Sequence, residues 1–305
     1  MNKLINIIKD RSFKLTILLT IIYFGIGFIF LHFGLADYGW IFFVFLPISL
    51  GFVIGSMPIQ KWAYLGLASG ILIFIILLLV GKLEGIVCVV MTIPIIIPLV
   101  AIGVLINKYL IRKGIIKPLK SLNVMVFPLI ITLLGAPVEK FFLTNKTEVI
   151  EVETERIYPY SAEQVYEAIK SVDTLIADKP FLMKLDLPIP NKCILEKEEV
   201  GGLRTCYFSG GTITERITEL EKGKILRMDV IDYKLTGRKW LGFKEAIYYF
   251  DKVGDNSCKM RRITTYTSVL KPRFYWQPLE ELGIRQEHEY VFDNLKNDLK
   301  KKYCR

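Results

Sequence analysis

The residues best suited to ligand chemistry lie in the polar second half of the chain, on two neighbouring predicted strands. Glu215 lies in a strand predicted over residues 212–220, and Arg227 and Asp229 lie in the next, over residues 225–233. With an even hairpin register, residues of equal parity share a face, which would gather the three charged side chains among isoleucines. Such a surface could orient an amphipathic ligand. An outward face would instead carry solvated cross-strand ion pairs.

His288 is the one histidine in this half, and it lies in a terminal helix predicted over residues 278–302. Its helical spacing places it on the face of Val291 and Leu295, so it should approach the domain interior. No Ser or Cys nucleophile with a third orienting group can be assigned beside it, so no catalytic residue is predicted. The predicted ligand-binding residues are therefore Glu215, Arg227, Asp229, His288, Val291 and Leu295.

The elements that must position these residues follow the order strand, helix, about six antiparallel strands and a long terminal helix. A first strand is predicted over residues 149–157. The capping box Ser161-Ala-Glu-Gln164 then marks a helix start, because its side chains satisfy exposed amides. Gly201-Gly202 predicts a two-residue hairpin turn, since both positions tolerate positive φ. Gly254-Asp-Asn256 predicts another hairpin.

This order of elements comes with three recognisable stretches of sequence. They are Tyr158-Pro-Tyr-Ser-Ala-Glu-Gln-Val-Tyr-Glu-Ala-Ile169, Glu198-Glu-Val-Gly-Gly-Leu-Arg204 and Thr214-Glu-Arg-Ile-Thr-Glu-Leu-Glu221. Together they resemble the SRPBCC superfamily, the START-like helix-grip group that includes polyketide cyclases, lipid-transfer domains and pollen allergens. The resemblance covers residues 147–302. It implies an α+β domain in which a curved antiparallel sheet grips the C-terminal helix around an apolar cavity, with the Glu215 face turned inward.

The chain is too apolar for a purely soluble protein. The 305 residues are 52% hydrophobic with a mean hydropathy of +0.39. A helical span needs roughly 20 apolar residues, and five runs are candidates: 15–33, 40–57, 62–80, 86–106 and 122–138. The predicted fold is therefore an α-helical multi-pass bundle over residues 1–138, followed by the helix-grip domain over residues 139–305. The fifth run is short and could either span the membrane or lie at its surface.

The distribution of charge points to a membrane rather than to a nucleic acid. Of the formal net charge of +10, +8 lies in residues 1–137, so the polar half lacks the basic excess of a nucleic-acid-binding domain. With five spans, the segments on one side carry ten basic residues, and the first two loops on the other side carry only Lys82. Since basic residues stay in the cytoplasm, the N-terminus is predicted inside. If the fifth run crosses, the second domain lies outside.

The cysteines are scattered, and the second half has a single histidine. Metal sites need clustered ligands, so no metal is predicted. Glycine pairs fall between strands, where turns explain them, and no phosphate-binding loop or other cofactor site is predicted. Outside the cytoplasm disulfides become possible, and four cysteines allow three pairings among which sequence cannot choose. These cysteines are Cys193, Cys206, Cys258 and Cys304.

Large apolar residues also occur in predicted loops, where solvation would favour polar ones. They are Phe181, Leu182, Met183, Leu185, Trp240, Phe274, Tyr275 and Trp276. Such loops could enter the bilayer and form a cavity mouth. They could instead close the core of the second domain, or pack on the helical bundle.

These observations predict a membrane protein whose helix-grip domain binds a hydrophobic or lipid-like ligand, with transfer and sensing both open. The partners expected are the lipid bilayer and that ligand. One alternative is an enzyme of the cyclase or hydrolase type that uses His288 with the Glu215 cluster. Another is a protein-interaction module with a filled core. The identity of the ligand and the oligomeric state stay open.

Overall fold

The computed structural model describes residues 7–81, 83–116, 123–143, 148–235, 240–254 and 256–303. The chain divides into two compact units. The first comprises Met1–Lys146 and Val269–Trp276, and the second comprises Thr147–Ser268 and Gln277–Arg305. Some residues used in the sequence argument lie outside the described residues: Lys3, Lys82, Lys117, Lys120, Leu122, Asp255 and Cys304.

The apolar helices of the first unit follow the predicted runs. They are α1 (Arg11–His32), α2 (Ile41–Gly55, whose first turn is a π-helix), α3 (Gln60–Val80), α4 (Ile86–Arg112) and α5 (Asn123–Leu143). Among the described residues, α1, α3 and α4 are long and apolar enough to cross a membrane, so three of the five expected spans are supported. At 1.5 Å per residue, α2 extends only about 22 Å, short of the roughly 30 Å hydrocarbon core. Helix α5 has two internal prolines and continues into charged residues.

Glycine allows α2 and α4 to cross with their backbones in contact. A Cβ on Gly51 would lie 2.0 Å from the carbonyl oxygen of Val100, and one on Gly103 would lie 2.1 Å from that of Ile48. Both distances are far below a van der Waals contact, so no larger residue fits without moving the helices. The crossing is therefore set by two residues without side chains.

A buried carboxylate follows directly on the fifth apolar run. Helix α5 continues past Val138, and Glu139, which is 8% exposed, accepts hydrogen bonds from the backbone amides of Trp40 (2.7 Å) and Ile41 (2.8 Å). These amides belong to the start of α2, where intrahelical bonds leave donors unsatisfied. Glu139 therefore caps α2 from another helix. Gly39 provides the room, since a Cβ there would lie 2.4 Å from Glu139 Oε1.

The segment Val269–Trp276 packs within the first unit although it follows the last strand of the sheet. The backbone amide of Lys271 donates to the carbonyl oxygen of Tyr38 at 2.8 Å. The Tyr275 hydroxyl donates to the carbonyl oxygen of Met91 at 2.5 Å, and the Trp276 ring lies 4.7 Å from that of Phe43. Of the three expectations for the aromatic residues 274–276, namely entry into the bilayer, closure of the core and packing on the helical bundle, the structure shows packing on the bundle.

The second unit is a seven-stranded antiparallel sheet with two short helices and one long helix. Its elements are β1 (Glu148–Tyr158), α6 (Ala162–Ile169), α7 (Phe181–Lys184), β2 (Pro190–Leu195), β3 (Leu203–Phe208), β4 (Gly211–Glu221), β5 (Ile225–Leu235), β6 (Leu241–Gly254), β7 (Ser257–Ser268) and α8 (Arg273–Tyr303). The strand order is β1-β7-β6-β5-β4-β3-β2, so every neighbouring pair except β1 and β7 is consecutive in the chain. Such a curled sheet with a long C-terminal helix fits the helix-grip fold expected from the sequence.

The core of this unit lies between one face of the sheet, which we call the inner face, and the helices α6 and α8. Its completely or almost completely buried residues include Val165, Met228, Met260, Phe292 and Leu299. The predicted capping box is present at the start of α6. There Ser161 Oγ accepts from the Gln164 amide at 3.2 Å, and Gln164 Oε1 accepts from the Ser161 amide at 2.9 Å.

The hairpin between β2 and β3 differs from the prediction of a two-residue turn. The strands end at Leu195 and resume at Leu203, so Gly201 and Gly202 lie at the end of a longer loop. The loop serves a contact that the turn signal does not reveal. Its Glu198 accepts a hydrogen bond from the Tyr166 hydroxyl at 2.7 Å and pairs with Lys170 at 2.9 Å.

Replacing Glu139 with alanine is expected to destabilise the first unit by about 1–2 kcal/mol, because the amides of Trp40 and Ile41 lose their acceptor. The measurement is thermal unfolding of the full chain in detergent, compared with Glu139→Gln, which keeps an acceptor oxygen. Equal unfolding temperatures for the wild type and Glu139→Ala would show that the cap contributes nothing.

Candidate functional site

Two arginine side chains lie on the inner face of the second unit, where an apolar core would be expected. Arg204 on β3 is 3% exposed and pairs with its cross-strand neighbour Glu215 on β4, with Nη1 3.1 Å from Oε2. Its Nη2 donates to the carbonyl oxygen of Ile169, the last residue of α6, at 3.2 Å. Burial lowers the pKa of Arg204, but its interactions with Tyr248 and Glu215 raise the pKa, and the net shift is upward. The guanidinium therefore stays charged.

The second arginine, Arg262 on β7, is held by the long helix. Its two Nη atoms donate to the two carboxylate oxygens of Glu287 on α8, at 2.9 Å and 3.3 Å. The guanidinium carbon lies 5.4 Å from the ring centre of Tyr248, and that of Arg204 lies 5.7 Å from the same ring. Tyr248 is itself 2% exposed. One aromatic ring thus contacts a buried cation, Arg204, and a largely buried one, Arg262, whose side chain is 11% exposed. The negative face of the ring favours this arrangement.

His288 lies beside this pair of ion pairs and is completely buried. Its Nε2 lies 2.8 Å from the Thr264 hydroxyl on β7, and its Nδ1 lies 3.0 Å from the Thr154 hydroxyl on β1. Burial lowers the pKa of His288 well below 6.5, and the positive charges of Arg262 and Arg285 lower it further. The imidazole is therefore neutral, and each ring nitrogen is used to join α8 to the sheet.

The charged cluster predicted from strand parity is not formed. Glu215 faces inward and is 7% exposed, but Asp229 and Arg227 lie on the outer face. Arg227 pairs there with Glu219 at 3.0 Å and with Glu245 at 3.1 Å. The alternative expectation was an outward face with solvated cross-strand ion pairs. It is correct for the charged residues of β5 and wrong for Glu215.

One β-bulge accounts for this error. The register of β4 with β5 shifts between Ile217 and Glu219, whereas a second shift, between Thr214 and Glu215, lies beyond the predicted cluster. Because a bulge adds one residue to one strand, it exchanges the parity of the faces. Glu215 consequently lies opposite Val230 rather than beside Arg227 and Asp229.

Val291 and Leu295 pack into the core on the sheet-facing side of α8, as the helical spacing of the sequence indicates. Val230 differs from them, because it faces inward opposite Glu215 yet is only half-buried. The inner face near Glu215 is thus less tightly covered than the core around Met228, which is fully buried.

Sequence reasoning missed Arg204, Tyr248, Arg262 and Glu287 as members of the site. A signal was present for the arginines, because Arg204 has the parity of Cys206 and Arg262 has the parity of Met260. A charged residue on the apolar side of a strand must find a partner. The partner of Arg262 lies on a helix 25 residues away, a separation that no local pattern predicts.

A segment running along α8 holds four of the eight apolar residues expected at a cavity mouth. Asn294 Oδ1 accepts from the amides of Ile176 (2.6 Å) and Ala177 (2.8 Å), and Gln286 Oε1 accepts from the amide of Leu182 (2.9 Å). Leu182 and Met183 are buried, whereas Phe181 is 66% exposed. Trp240 packs against Ile150 and other buried residues of the sheet. Leu182, Met183 and Trp240 therefore close the core.

Cys193 and Cys206 form a disulfide between β2 and β3, one of the pairings left open by the sequence. Cys258 is buried with a free thiol, and burial raises its pKa to about 11. Among the described residues, no group of three or more His, Cys, Asp or Glu side chains could hold a metal ion.

No family model matches this chain, and no curated protein matches it. Solved structures do. XoxI from Bacillus cereus is 18% identical, covering 50% of this chain and 95% of that one with a TM-score of 0.33. The Zhui aromatase/cyclase from Streptomyces sp. R1128 is 12% identical (51% and 96% covered, TM-score 0.35), and a norcoclaurine synthase point mutant from Thalictrum flavum is 16% identical (52% and 98%, 0.34). Likeness at this level carries no argument about activity.

Lowering the pH from about 6.5 to about 5 is expected to destabilise the second unit through His288. The unfolded chain binds a proton on histidine near pH 6.5, whereas the folded chain binds it only at lower pH. Stability from this group is therefore complete above pH 6.5 and falls as the pH drops, by at most about 1.4 kcal/mol per pH unit. His288→Gln should unfold with a shallower dependence on pH when the full chain is followed by near-ultraviolet circular dichroism. Identical slopes for the two proteins would contradict this assignment.

Proposed function

We propose that this chain is a multi-pass membrane protein whose helix-grip unit binds a hydrophobic or lipid-like ligand. The observation that carries the proposal is the chemistry of the inner face. Apolar residues surround two buried arginine ion pairs that contact one tyrosine, and Val230 beside them is incompletely covered. A mostly apolar surface with a few fixed polar groups is typical of sites for amphipathic small molecules.

The geometry of His288 favours binding over an enzyme of the cyclase or hydrolase type. Both of its ring nitrogens lie within hydrogen-bond distance of threonine hydroxyls, on Thr154 and Thr264. Its lowered pKa keeps the ring neutral, but it has no exposed surface for a substrate. A general base must reach the proton that it removes. The role of His288 in this proposal is to position α8 against the sheet.

The membrane anchor of the proposal consists of five spans, with α2 and α5 completing the three long apolar helices. Helix α5 has 21 residues, enough to cross, and α2 packs against α4 through glycine. Because α2 is shorter than the hydrocarbon core, its crossing in this proposal requires local thinning of the bilayer. The distribution of basic residues supports an N-terminus in the cytoplasm and, with five spans, a second unit outside it. The Cys193–Cys206 disulfide supports the same sidedness, because disulfides persist in oxidising compartments outside the cytoplasm.

A topology reporter tests this orientation. A reporter fused after Arg305 is expected to be active outside the cytoplasm, and one fused after Lys117 is expected to be active inside, because a fifth span separates the two positions. Alkylation of Cys193 and Cys206 in intact cells gives an independent readout of the same orientation. If the second unit lies outside the cytoplasm, we expect the disulfide to protect these two cysteines until a reductant is added. Cytoplasmic activity of both fusions would show that α5 does not cross.

Obstructing the inner face should abolish ligand binding without unfolding the protein. Val230→Trp places a large ring beside Glu215, and Ile231→Trp, at the neighbouring position where the side chain is 44% exposed, is the matched control. The full chain in nanodiscs is exposed to photoactivatable palmitic acid, and labelled peptides are identified by mass spectrometry. We expect labelling within β4, β5 and α8 to fall at least about tenfold in Val230→Trp and to stay unchanged in Ile231→Trp.

Two results would contradict the proposal. One is wild-type labelling confined to the membrane helices. The other is equal labelling of the inner face in both tryptophan variants while both keep the wild-type unfolding temperature. Either result would favour the remaining alternative, an interaction module with a filled core.

A further inference from the structure

The interior around Tyr248 contains more hydrogen-bond donors than acceptors. Arg204 uses Nη1 for Glu215 and Nη2 for Ile169, and Arg262 uses its Nη atoms for Glu287. In each case the Nε–H is buried and has no hydrogen-bond partner among the described residues. Two donors of the same kind, on side chains that contact the same ring, are thus left over.

Unsatisfied buried donors are rare, and each one calls for a physical reason. A guanidinium has donors and no acceptor, so it cannot relieve the shortage by turning. Glu215 on β4 is already bound to an Nη atom of Arg204, and Glu287 on α8 is already bound to the Nη atoms of Arg262. The Nε–H groups of Arg204 and Arg262 are therefore without an oxygen acceptor among the described residues.

We infer that the polar end of the ligand is an acyl oxygen, the carboxylate of a fatty acid or the carbonyl of its ester, which accepts from the Nε–H groups of Arg204 and Arg262. This inference rests on the proposed function and adds the class of ligand to it. The acyl chain lies along the inner face toward Val230. Carboxylate and ester share the acceptor that the site requires, and they differ in charge.

An amine of the same chain length does not satisfy this site. An alkylammonium group brings only donors to a region that already has a surplus of them. It also brings a positive charge close to two buried arginines, and like charges repel strongly where solvent is excluded. An alcohol has both a donor and an acceptor and should lie between the two. The order of affinity expected is therefore acid or ester, then alcohol, then amine.

The test measures how well unlabelled ligands displace photoactivatable palmitic acid from the full chain in nanodiscs. The competitors are palmitic acid, methyl palmitate, hexadecanol and hexadecylamine, which share one chain length. We expect the acid or the ester, or both, to compete at least about tenfold better than the amine. The acid-to-ester comparison then shows which of the two acyl sources is preferred.

Paired variants show whether the arginines cause this preference. Arg204→Gln with Glu215→Gln and Arg262→Gln with Glu287→Gln remove each cation together with its carboxylate, so no buried charge is left alone. Arg227→Gln with Glu245→Gln removes an equivalent ion pair from the outer face and is the control. The two inner variants should lose most of the preference for acyl oxygen over amine, and the outer variant should keep the wild-type preference.

The outcomes separate this inference from the proposed function. If the wild type is labelled on the inner face and the amine competes as well as the acid, the headgroup assignment is wrong and hydrophobic binding stands. If no competitor displaces the probe from the inner face, the proposed binding itself is wrong.

If an inner variant unfolds at a lower temperature than the wild type, the single variant Arg262→Lys is used instead, because it keeps a cation for Glu287 and removes the Nε–H. An unchanged preference in a folded Arg262→Lys would also overturn the inference.

Discussion

The second unit depends on how two arginine cations are accommodated between the sheet and α8. A charge taken out of water is costly unless it is paired and hydrogen-bonded, so each arginine determines what lies around it. Arg204 requires Glu215 on the next strand, and Arg262 requires Glu287 on the helix. The second pair crosses from sheet to helix and therefore specifies the rotation of α8 as well as its position.

Other contacts along α8 agree with that rotation. His288 links the helix to β1 and β7 through two threonines, and Arg156 on β1 pairs with Asp293 at 2.6 Å. On the other side, the amide groups of Gln286 and Asn294 bind the backbone of the segment that follows α6. Polar contacts thus specify the position of α8 in addition to the packing of its apolar face. Apolar packing alone tolerates small rotations, and directional hydrogen bonds do not.

In the first unit, backbone groups carry the specificity that side chains carry in the second. Gly51 and Gly103 let two helices meet backbone to backbone, and Glu139 supplies the acceptor for the first amides of α2. Within an apolar bundle an unsatisfied amide has no water to bind, so such a cap is needed wherever a helix begins in a buried place. The segment Val269–Trp276, which follows the last strand of the sheet in the sequence, also belongs to this unit.

The amino-acid sequence by itself determined the local structure: the apolar runs, the capping box at Ser161, the strand order along the chain and the apolar face of α8. These follow from periodicity and from short-range capping, which depend on neighbours in the sequence. Only the tertiary structure decided which charges meet. A bulge between Ile217 and Glu219 separated Glu215, which faces inward, from Arg227 and Asp229, which face outward, and a bulge changes parity without a reliable mark in the sequence. Likewise, the ion pair of Arg262 with Glu287 and the membership of Val269–Trp276 in the first unit depend on distant segments meeting in space, which no local pattern encodes.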